Sequence, residues 1–233
     1  MNFAKNLNAF SKLKKSKPKA IIFDWDNTLV DTWPLIQTSI DATLNAQGRQ
    51  PWGLEKVQNQ IHKSMRESFP EIFGENWREA GEIYQKTYRS IHLDQIQLLP
   101  QALSLIELVA QKEILQFVVS NKIGATLRQE AKKIGVDKYF FSLIGASDAD
   151  YDKPDKSPVE LAFLGSDIDV NRDEVWFVGD TITDIECAHN SGCKPIIFGS
   201  GHNKISPTIS IKALSELPLY FRHQQLIEIL ESF

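Results

Sequence analysis

Short apolar runs that end at polar residues are the most regular feature of the chain. The first of them, Ala20-Ile21-Ile22-Phe23, leads directly into Asp24. Apolar runs of this kind, bounded by turn residues, are typical of buried strands. The same criterion predicts further strands over 114–119, near 143–144, over 174–178 and over 195–198. Steps of three and four between apolar residues predict helices over 101–111, 124–134 and 157–164, a helix ending by 192, and a mostly helical segment over 213–233.

Residues 31–98 differ from the rest of the chain because no part of them has the pattern of a strand. Apolar residues recur there in helical steps, for example at Ile36, Ile40 and Leu44. Elsewhere, strands that are apolar throughout alternate with helices, which favours an α/β fold with a parallel sheet covered on both faces. We therefore predict an inserted all-helical domain within a core domain, with boundaries at 33–98 for the insert and at 20–32 and 99–233 for the core.

Length and composition limit the classes of protein to consider. A chain of 233 residues, 42% hydrophobic and 24% charged, fits one globular core domain with a smaller insert. No apolar run approaches the ~20 residues that cross a bilayer, so no membrane span is expected. Cys187 and Cys193 predict no disulfide framework and are typical of a reducing cytoplasm. A zinc site is not expected, because His189 is the one further ligand nearby.

Charge is distributed unevenly along the chain. Residues 1–19 form a basic leader with six lysines and no acid, and the remaining 20 basic and 30 acidic residues give the body a net charge of −10. Such a body repels polyanions, so nucleic acid is not expected as a partner. The leader is predicted to be frayed or docked on the surface. A basic amphipathic helix is the alternative, because Phe3, Leu7 and Phe10 have helical spacing.

Two carboxylates, Asp24 and Asp26, follow the first predicted strand. Residues two apart in an extended chain project to the same side, so both acids are expected together at the end of the strand. Repulsion between them has to be offset by a cation or by a shared proton. The alternative is a polar turn in which Asp26 and Asn27 bond to the backbone. The pair alone does not decide between a site and a turn.

Polar residues also follow the other predicted strands, where ligands bind in open parallel sheets. They are Ser120 and Asn121 after the second strand, Lys153 in the loop after the third, and Asp180 and Asp184 after the fourth. Several acids, one lysine and one hydroxyl suit a divalent cation bound beside an anionic group. Oxygen ligands without histidine or thiolate favour Mg²⁺. Taken singly, each has another interpretation, such as a helix cap formed by Thr181 with Asp184.

These residues resemble the four motifs of the haloacid dehalogenase superfamily of phosphatases and phosphotransferases. Asp24-Trp25-Asp26-Asn27-Thr28 is similar to its first motif, Ser120 to its second, Lys153-Pro154 to its third, and Gly179-Asp180-Thr181-Ile182-Thr183-Asp184 to its fourth. The order and the approximate distances agree over residues 20–200. The resemblance implies a Rossmann-like core, and it identifies the insert with the helical cap of phosphoglycolate-phosphatase-like members.

The resemblance also implies a role for each residue in the hydrolysis of a small phosphorylated metabolite. Asp24 is the nucleophile and Asp26 the general acid and base, while Ser120 and Lys153 bind and balance the phosphoryl group. Mg²⁺ is held by Asp24, Asp26 through its backbone carbonyl, and Asp180. Asp184 is placed at the metal site, where it orients Lys153 or a metal-bound water, and Thr28 and Asn121 are assigned to substrate binding. Arg66 is added as a substrate-binding candidate because it is a polar residue of the predicted cap.

The chain departs from the family pattern at three positions. Asn27 and Gln101 stand where relatives often have glycine, and Lys156 stands where many have proline. Lys153 is therefore preferred over Lys156 as the lysine of the third motif. Arg66, on a predicted cap helix, either binds a substrate anion or is an ordinary surface arginine.

Other functions remain open at this point. A dehalogenase has no need of Asp26 or of a cation, which argues against it, whereas a sugar-phosphate mutase shares the whole set. A phosphonate hydrolase requires a lysine on the cap that forms a Schiff base, for which the candidates are Lys56, Lys63 and Lys86. A non-catalytic binding module on the same scaffold is the alternative from another class. The sequence predicts neither the particular phosphomonoester nor the oligomeric state.

Overall fold

The structure is a computed structural model that describes residues 16–61, 65–199 and 220–233, apart from the side chains of Arg66, Glu67 and Tyr220. Most of the basic leader, Lys63 and the predicted contact of Arg66 therefore lie outside the described residues, as does the predicted helix over 213–219. Among the helices of this part of the chain, none has the length and apolar content needed to span a bilayer.

A parallel sheet forms the centre of the core. The described strands are β1 (Ala20–Phe23), β2 (Val30–Asp31), β3 (Gln97–Leu98), β4 (Leu115–Ile123), β5 (Ser142–Ala146), β6 (Val175–Gly179), β7 (Lys194–Phe198) and β8 (Tyr220–Phe221). Six of them pair in the order β5-β4-β1-β6-β7-β8, and every pair is parallel. The predicted α/β class is confirmed. Because β1 lies between β4 and β6, residues that follow these three strands meet at one edge.

Helices cover both faces of this sheet, as predicted. The described α-helices are α1 (Trp33–Ala46), α2 (Leu54–Gln60), α3 (Met65–Phe73), α4 (Trp77–Gln95), α5 (Ala102–Gln111), α6 (Gly124–Ile134), α7 (Ser157–Phe163), α8 (Ile182–Asn190) and α9 (His223–Leu230), of which α5–α9 cover the sheet. Alternate residues of β1 face opposite sides, so Ile21 and Phe23 pack in one hydrophobic cluster with α5, α6 and α9. Ile22 packs in a second cluster with α7 and α8. Burial on both sides is why the strand is apolar throughout.

The inserted helices α1–α4 are joined to the core by the strand pair β2 and β3, which is antiparallel, with Val30 opposite Leu98. The prediction that residues 31–98 contain no strand is therefore wrong at both ends. Each strand has two residues, too few to produce a pattern, and the pairing joins segments far apart in sequence. We propose that this pair marks the boundary of the cap, close to the predicted limits of 33 and 98.

Two other elements differ from the prediction. Strand β4 was expected to stop at Ser120 and continues to Ile123, with an irregular register against β5 between Val119 and Ile123. The end of the chain was expected to be mostly helical, and α9 is, but β8 adds an edge strand before it. A two-residue strand again depends on pairing with β7, which no local pattern reveals.

Candidate active site

The loop after β1 is a tight turn that holds Asp24 and Asp26 at the edge of the sheet. The Asp24 N–H donates to the Val178 carbonyl at 2.8 Å, which continues the pairing with β6. Asn27 adopts a left-handed conformation with φ of +59°, and its N–H donates to the Val30 carbonyl at 2.7 Å. Asparagine tolerates this conformation better than most residues, which explains how Asn27 replaces the glycine of relatives.

Asp180 and Asp184 follow β6. Thr181 and Asp184 form a capping box at the start of α8, in which the Thr181 N–H donates to Asp184 Oδ2 at 3.0 Å. The capping interpretation of Asp184 therefore holds, although the same carboxylate also contacts Lys153. A Cβ on Gly179 would collide with the Asp184 side chain. Glycine is thus required at 179 for Asp184 to approach the end of β6.

Lys153 reaches the same edge from the loop between β5 and α7. Its Nζ donates to Asp24 Oδ1 at 2.7 Å and to Asp184 Oδ1 at 2.6 Å, and its side chain is 3% exposed. Lys156 instead pairs with Glu160 on α7, and its side chain is 57% exposed. The geometry thus places Lys153, and not Lys156, against the carboxylates.

Ser120 and Asn121 lie within the irregular part of β4. The Ser120 hydroxyl oxygen accepts from the Lys122 N–H at 3.2 Å, which leaves its own proton available to a ligand. The Asn121 side chain accepts from the Lys153 N–H at 2.9 Å and donates to the Lys153 carbonyl at 3.0 Å. With both ends of its amide engaged, Asn121 positions Lys153, and its predicted contact with the substrate stays a prediction.

The contacts of Thr28 place it beside Asp180. It is fully buried, and its hydroxyl donates to Asp180 Oδ1 at 3.3 Å. The Thr28 carbonyl lies 2.7 Å from His223 Nε2, so α9 supports this loop. Thr28 therefore orients Asp180, and its predicted contact with the substrate stays a prediction.

The electrostatics of this edge favour a bound cation. Burial raises the pKa of Asp24 to about 7, and neighbouring carboxylates add to the effect while Lys153 opposes it. Burial likewise raises the pKa of Asp180 well above its usual value. The pKa of Lys153 is also raised, because contact with Asp184 and Asp24 outweighs its burial. One ammonium among these carboxylates leaves an excess of negative charge that a divalent cation would balance.

The carboxylates suit a metal by their spacing as well as by their charge. Oxygens of Asp24, Asp180 and Asp184 all lie within 4.8 Å of one another. Both oxygens of Asp184 are already bonded, Oδ1 to Lys153 and Oδ2 to Thr181. Asp24 and Asp180 therefore fit direct ligands better than Asp184 does, and an all-oxygen set suits Mg²⁺.

Sequence reasoning missed a second charged cluster next to Asp26. Lys122 Nζ lies 2.5 Å from Asp26 Oδ1 and 2.6 Å from Glu130 Oε2, and it donates to the Tyr88 hydroxyl at 2.7 Å. Glu130 is fully buried on α6. One signal was available, because Glu130 lies on the apolar side of its predicted helix, beside Leu127 and Ala131. A charged residue at such a position requires a partner.

The chain matches the family model described as haloacid dehalogenase-like hydrolase over residues 21–198. It is 25% identical to phosphoglycolate phosphatase 1 of Pseudomonas aeruginosa over 86% of this chain and 78% of that protein. It is 26% identical to pyrophosphatase PpaX of Listeria welshimeri over 90% of this chain and 99% of that protein. A solved structure of a predicted phosphoglycolate phosphatase from Haemophilus somnus superposes with a TM-score of 0.76 at 20% identity, covering 93% and 98% of the two chains.

The family match covers β1 to β7 and includes all four motifs, while the parallel sheet with its inserted helical cap agrees with the solved fold. The phosphatase names of the relatives agree with an acid-rich edge beside a lysine. The chain belongs to the haloacid dehalogenase-like hydrolase family and is a phosphatase of that family.

Proposed function

We propose that this phosphatase hydrolyses a small phosphomonoester with Mg²⁺ through an aspartyl-phosphate on Asp24. The observation that carries the proposal is the position of Lys153, whose ammonium bridges Asp24 and Asp184 beside Asp180. A nucleophilic carboxylate, a fixed cation and an acidic pair open to a metal are what phosphoryl transfer requires.

The chain's own residues supply each step of this reaction. An Asp24 oxygen attacks phosphorus as the bond from phosphorus to the ester oxygen breaks, and the Asp26 carboxyl gives its proton to that oxygen. Asp26 then takes a proton from the water that hydrolyses the aspartyl-phosphate. Ser120 and Lys153 hold the phosphoryl oxygens. Asp24, Asp180 and the backbone carbonyl of Asp26 would hold Mg²⁺, which would supply positive charge that offsets the repulsion between carboxylate and phosphate.

The names of the relatives suggest compounds to test as substrates. Relatives named for phosphoglycolate and for pyrophosphate match with similar identity, so the monoester phosphoglycolate and the anhydride pyrophosphate both belong among these compounds. A sugar-phosphate mutase uses the same residues and differs in excluding water. We expect the protein in the cytoplasm, in keeping with two free, buried thiols at Cys187 and Cys193.

Phosphate release from a panel tests the proposal. The panel contains phosphoglycolate, sugar phosphates, nucleotides, pyrophosphate and an aryl phosphate, each assayed with Mg²⁺ and with EDTA. We expect Mg²⁺-dependent release from at least one compound and its loss in Asp24→Asn. Asp167→Asn is the control, because Asp167 is an exposed aspartate that pairs with Lys19. Absence of release from every compound, or full activity in Asp24→Asn, would overturn the proposal, and transfer between positions of a hexose phosphate would favour the mutase.

A further inference from the structure

The buried cluster beside Asp26 is built from both the core and the cap. Lys122 is the last but one residue of β4, and Glu130 lies on α6 of the core. Tyr88 and His92 lie on α4 of the cap, which packs against α6. All four side chains are buried or nearly so, although none of them belongs to the four family motifs.

Glu130 is the fixed point of this cluster. Its Oε1 accepts from the Tyr88 hydroxyl and lies 3.0 Å from His92 Nδ1. Its Oε2 accepts from the Trp25 indole N–H at 2.7 Å and from Lys122 Nζ at 2.6 Å. Both oxygens of the carboxylate therefore meet two donors each, and a buried charge satisfied in this way is rigidly held.

Lys122 connects the fixed carboxylate of Glu130 to Asp26. Its ammonium donates to Glu130 and to the Tyr88 hydroxyl, and it forms an ion pair with Asp26 Oδ1 at 2.5 Å. Asp26 Oδ1 is buried and has no hydrogen-bond partner among the described residues, so the ion pair with Lys122 is the contact that holds this oxygen, while the Thr32 side chain also bonds the carboxylate. Without Lys122, this oxygen would lose the charged contact that fixes its direction.

We propose that Lys122 is a positioning residue for the proton transfer of Asp26, anchored by Glu130 in the core and completed by Tyr88 and His92 from the cap. The inference rests on the proposed function, since it concerns the protonation of the leaving oxygen. Positioning by charge-assisted contacts holds the carboxyl where the ester oxygen departs. The cap contributes to this cluster through α4. The carboxyl of Asp26 is therefore fully positioned only when the cap is packed against the core.

Leaving groups of different acidity distinguish positioning of the acid from general damage to the site. Departure of an alkoxide requires a proton, whereas 4-nitrophenolate departs without one, and a general acid contributes about 10²–10⁴-fold. The value of kcat/KM reports events up to formation of the aspartyl-phosphate, so the later hydrolysis, common to both esters, does not enter. The measured quantity is the ratio of kcat/KM for an alkyl phosphate to that for 4-nitrophenyl phosphate.

In Lys122→Met we expect this ratio to fall by about 30-fold or more relative to wild type, since most of the general-acid contribution is lost. Arg128→Met is the matched control: Arg128 also lies on α6 and pairs with Asp148 at the surface, away from Asp26. In that variant the ratio should stay within about twofold. Tyr88→Phe removes the hydroxyl that donates to Glu130 and accepts from Lys122, and a fall of about 3-fold is expected from the loss of these two hydrogen bonds. Tyr139→Phe, which removes a hydroxyl bonded to Glu107, is its control.

The outcomes separate this inference from the proposed function. A wild-type protein that releases phosphate from neither ester overturns the proposed function, and the inference with it. An active wild type with an unchanged ratio in Lys122→Met and in Tyr88→Phe overturns the inference alone, even if both esters are hydrolysed more slowly. If Lys122→Met fails to fold because Glu130 is left without its charged partner, the double variant Lys122→Met/Glu130→Gln removes both charges. An unchanged kcat/KM ratio in this double variant and in Tyr88→Phe then overturns the inference.

Discussion

The substitution Asp24→Asn is expected to inactivate the protein and, in the absence of metal, to stabilise it. Burial and neighbouring carboxylates raise the pKa of Asp24 from 3.8 to about 7, so the fold disfavours the charged form. An acid whose pKa is raised in the folded state binds more protons when folded than when unfolded. Its contribution to stability therefore falls as the pH rises from about 4 to about 7, and stays low above that window.

The size of this effect follows from the shift. A change from 3.8 to about 7 corresponds to at most about 4 kcal/mol at pH 8. Since the ammonium of Lys153 loses a charged partner in Asp24→Asn, and since asparagine does not fully replace the contacts of Asp24, we expect about half of that energy. A gain of about 2 kcal/mol raises the melting temperature of a domain of this size by about 4–8 °C.

Thermal unfolding in EDTA at pH 4 and at pH 8 measures the effect. The difference between Asp24→Asn and wild type should be near zero at pH 4 and largest at pH 8, while Asp167→Asn should follow wild type throughout. Mg²⁺ should narrow the difference at pH 8, because it binds the folded wild type and neutralises the carboxylate. If Asp24→Asn melts at or below the wild-type temperature at pH 8 in EDTA, the site is not electrostatically strained and the reasoning is refuted.

Three further outcomes are expected. Gln101 lies just before α5 with a φ of +65°, a conformation that glycine adopts more readily. Gln101→Gly should therefore raise the free energy of unfolding by roughly 1 kcal/mol in urea titrations. Gln111→Gly, in the last turn of α5, is the control and should lower the free energy of unfolding. Gly179→Ala should lower stability by about 1–3 kcal/mol and reduce phosphatase activity, because the new Cβ displaces Asp184, and unchanged activity would contradict the collision. Removal of metal by EDTA should abolish turnover and Mg²⁺ should restore it, whereas turnover that persists in EDTA would argue against the metal assignment.

Much of the site could be predicted because its geometry follows from the topology of the sheet. Asp24, Lys153 and Asp180 lie far apart in sequence, but each follows a strand, and parallel neighbours bring those positions together. The sequence pattern distinguishes Lys153 from Lys156 less clearly, since both lie in one polar loop. In the fold, the hydrogen bonds of Asn121 with the Lys153 backbone direct this loop so that Lys153 reaches the carboxylates.

What escaped prediction depends on contacts between segments that carry no pattern of their own. Strands β2, β3 and β8 have two residues each, so only their partners make them strands. The resemblance to the family implies substrate contacts for Thr28 and Asn121. The structure adds contacts of both side chains with neighbouring parts of the site, Thr28 with Asp180 and Asn121 with Lys153.

The cluster around Glu130 shows which part of a buried contact the sequence predicts and which part it does not. A carboxylate on the apolar side of a predicted helix implies a buried partner, since burying an unpaired charge costs several kcal/mol. The sequence alone leaves several lysines and arginines as candidates for that partner, and neither helical spacing nor strand order selects Lys122. The folded chain selects it because β4 runs beside β1, which brings Lys122 between Glu130 and Asp26. The contact that gives Glu130 of α6 its charged partner thus also orients Asp26, the proposed acid. A change in packing between the cap and the core should therefore change the catalytic rate.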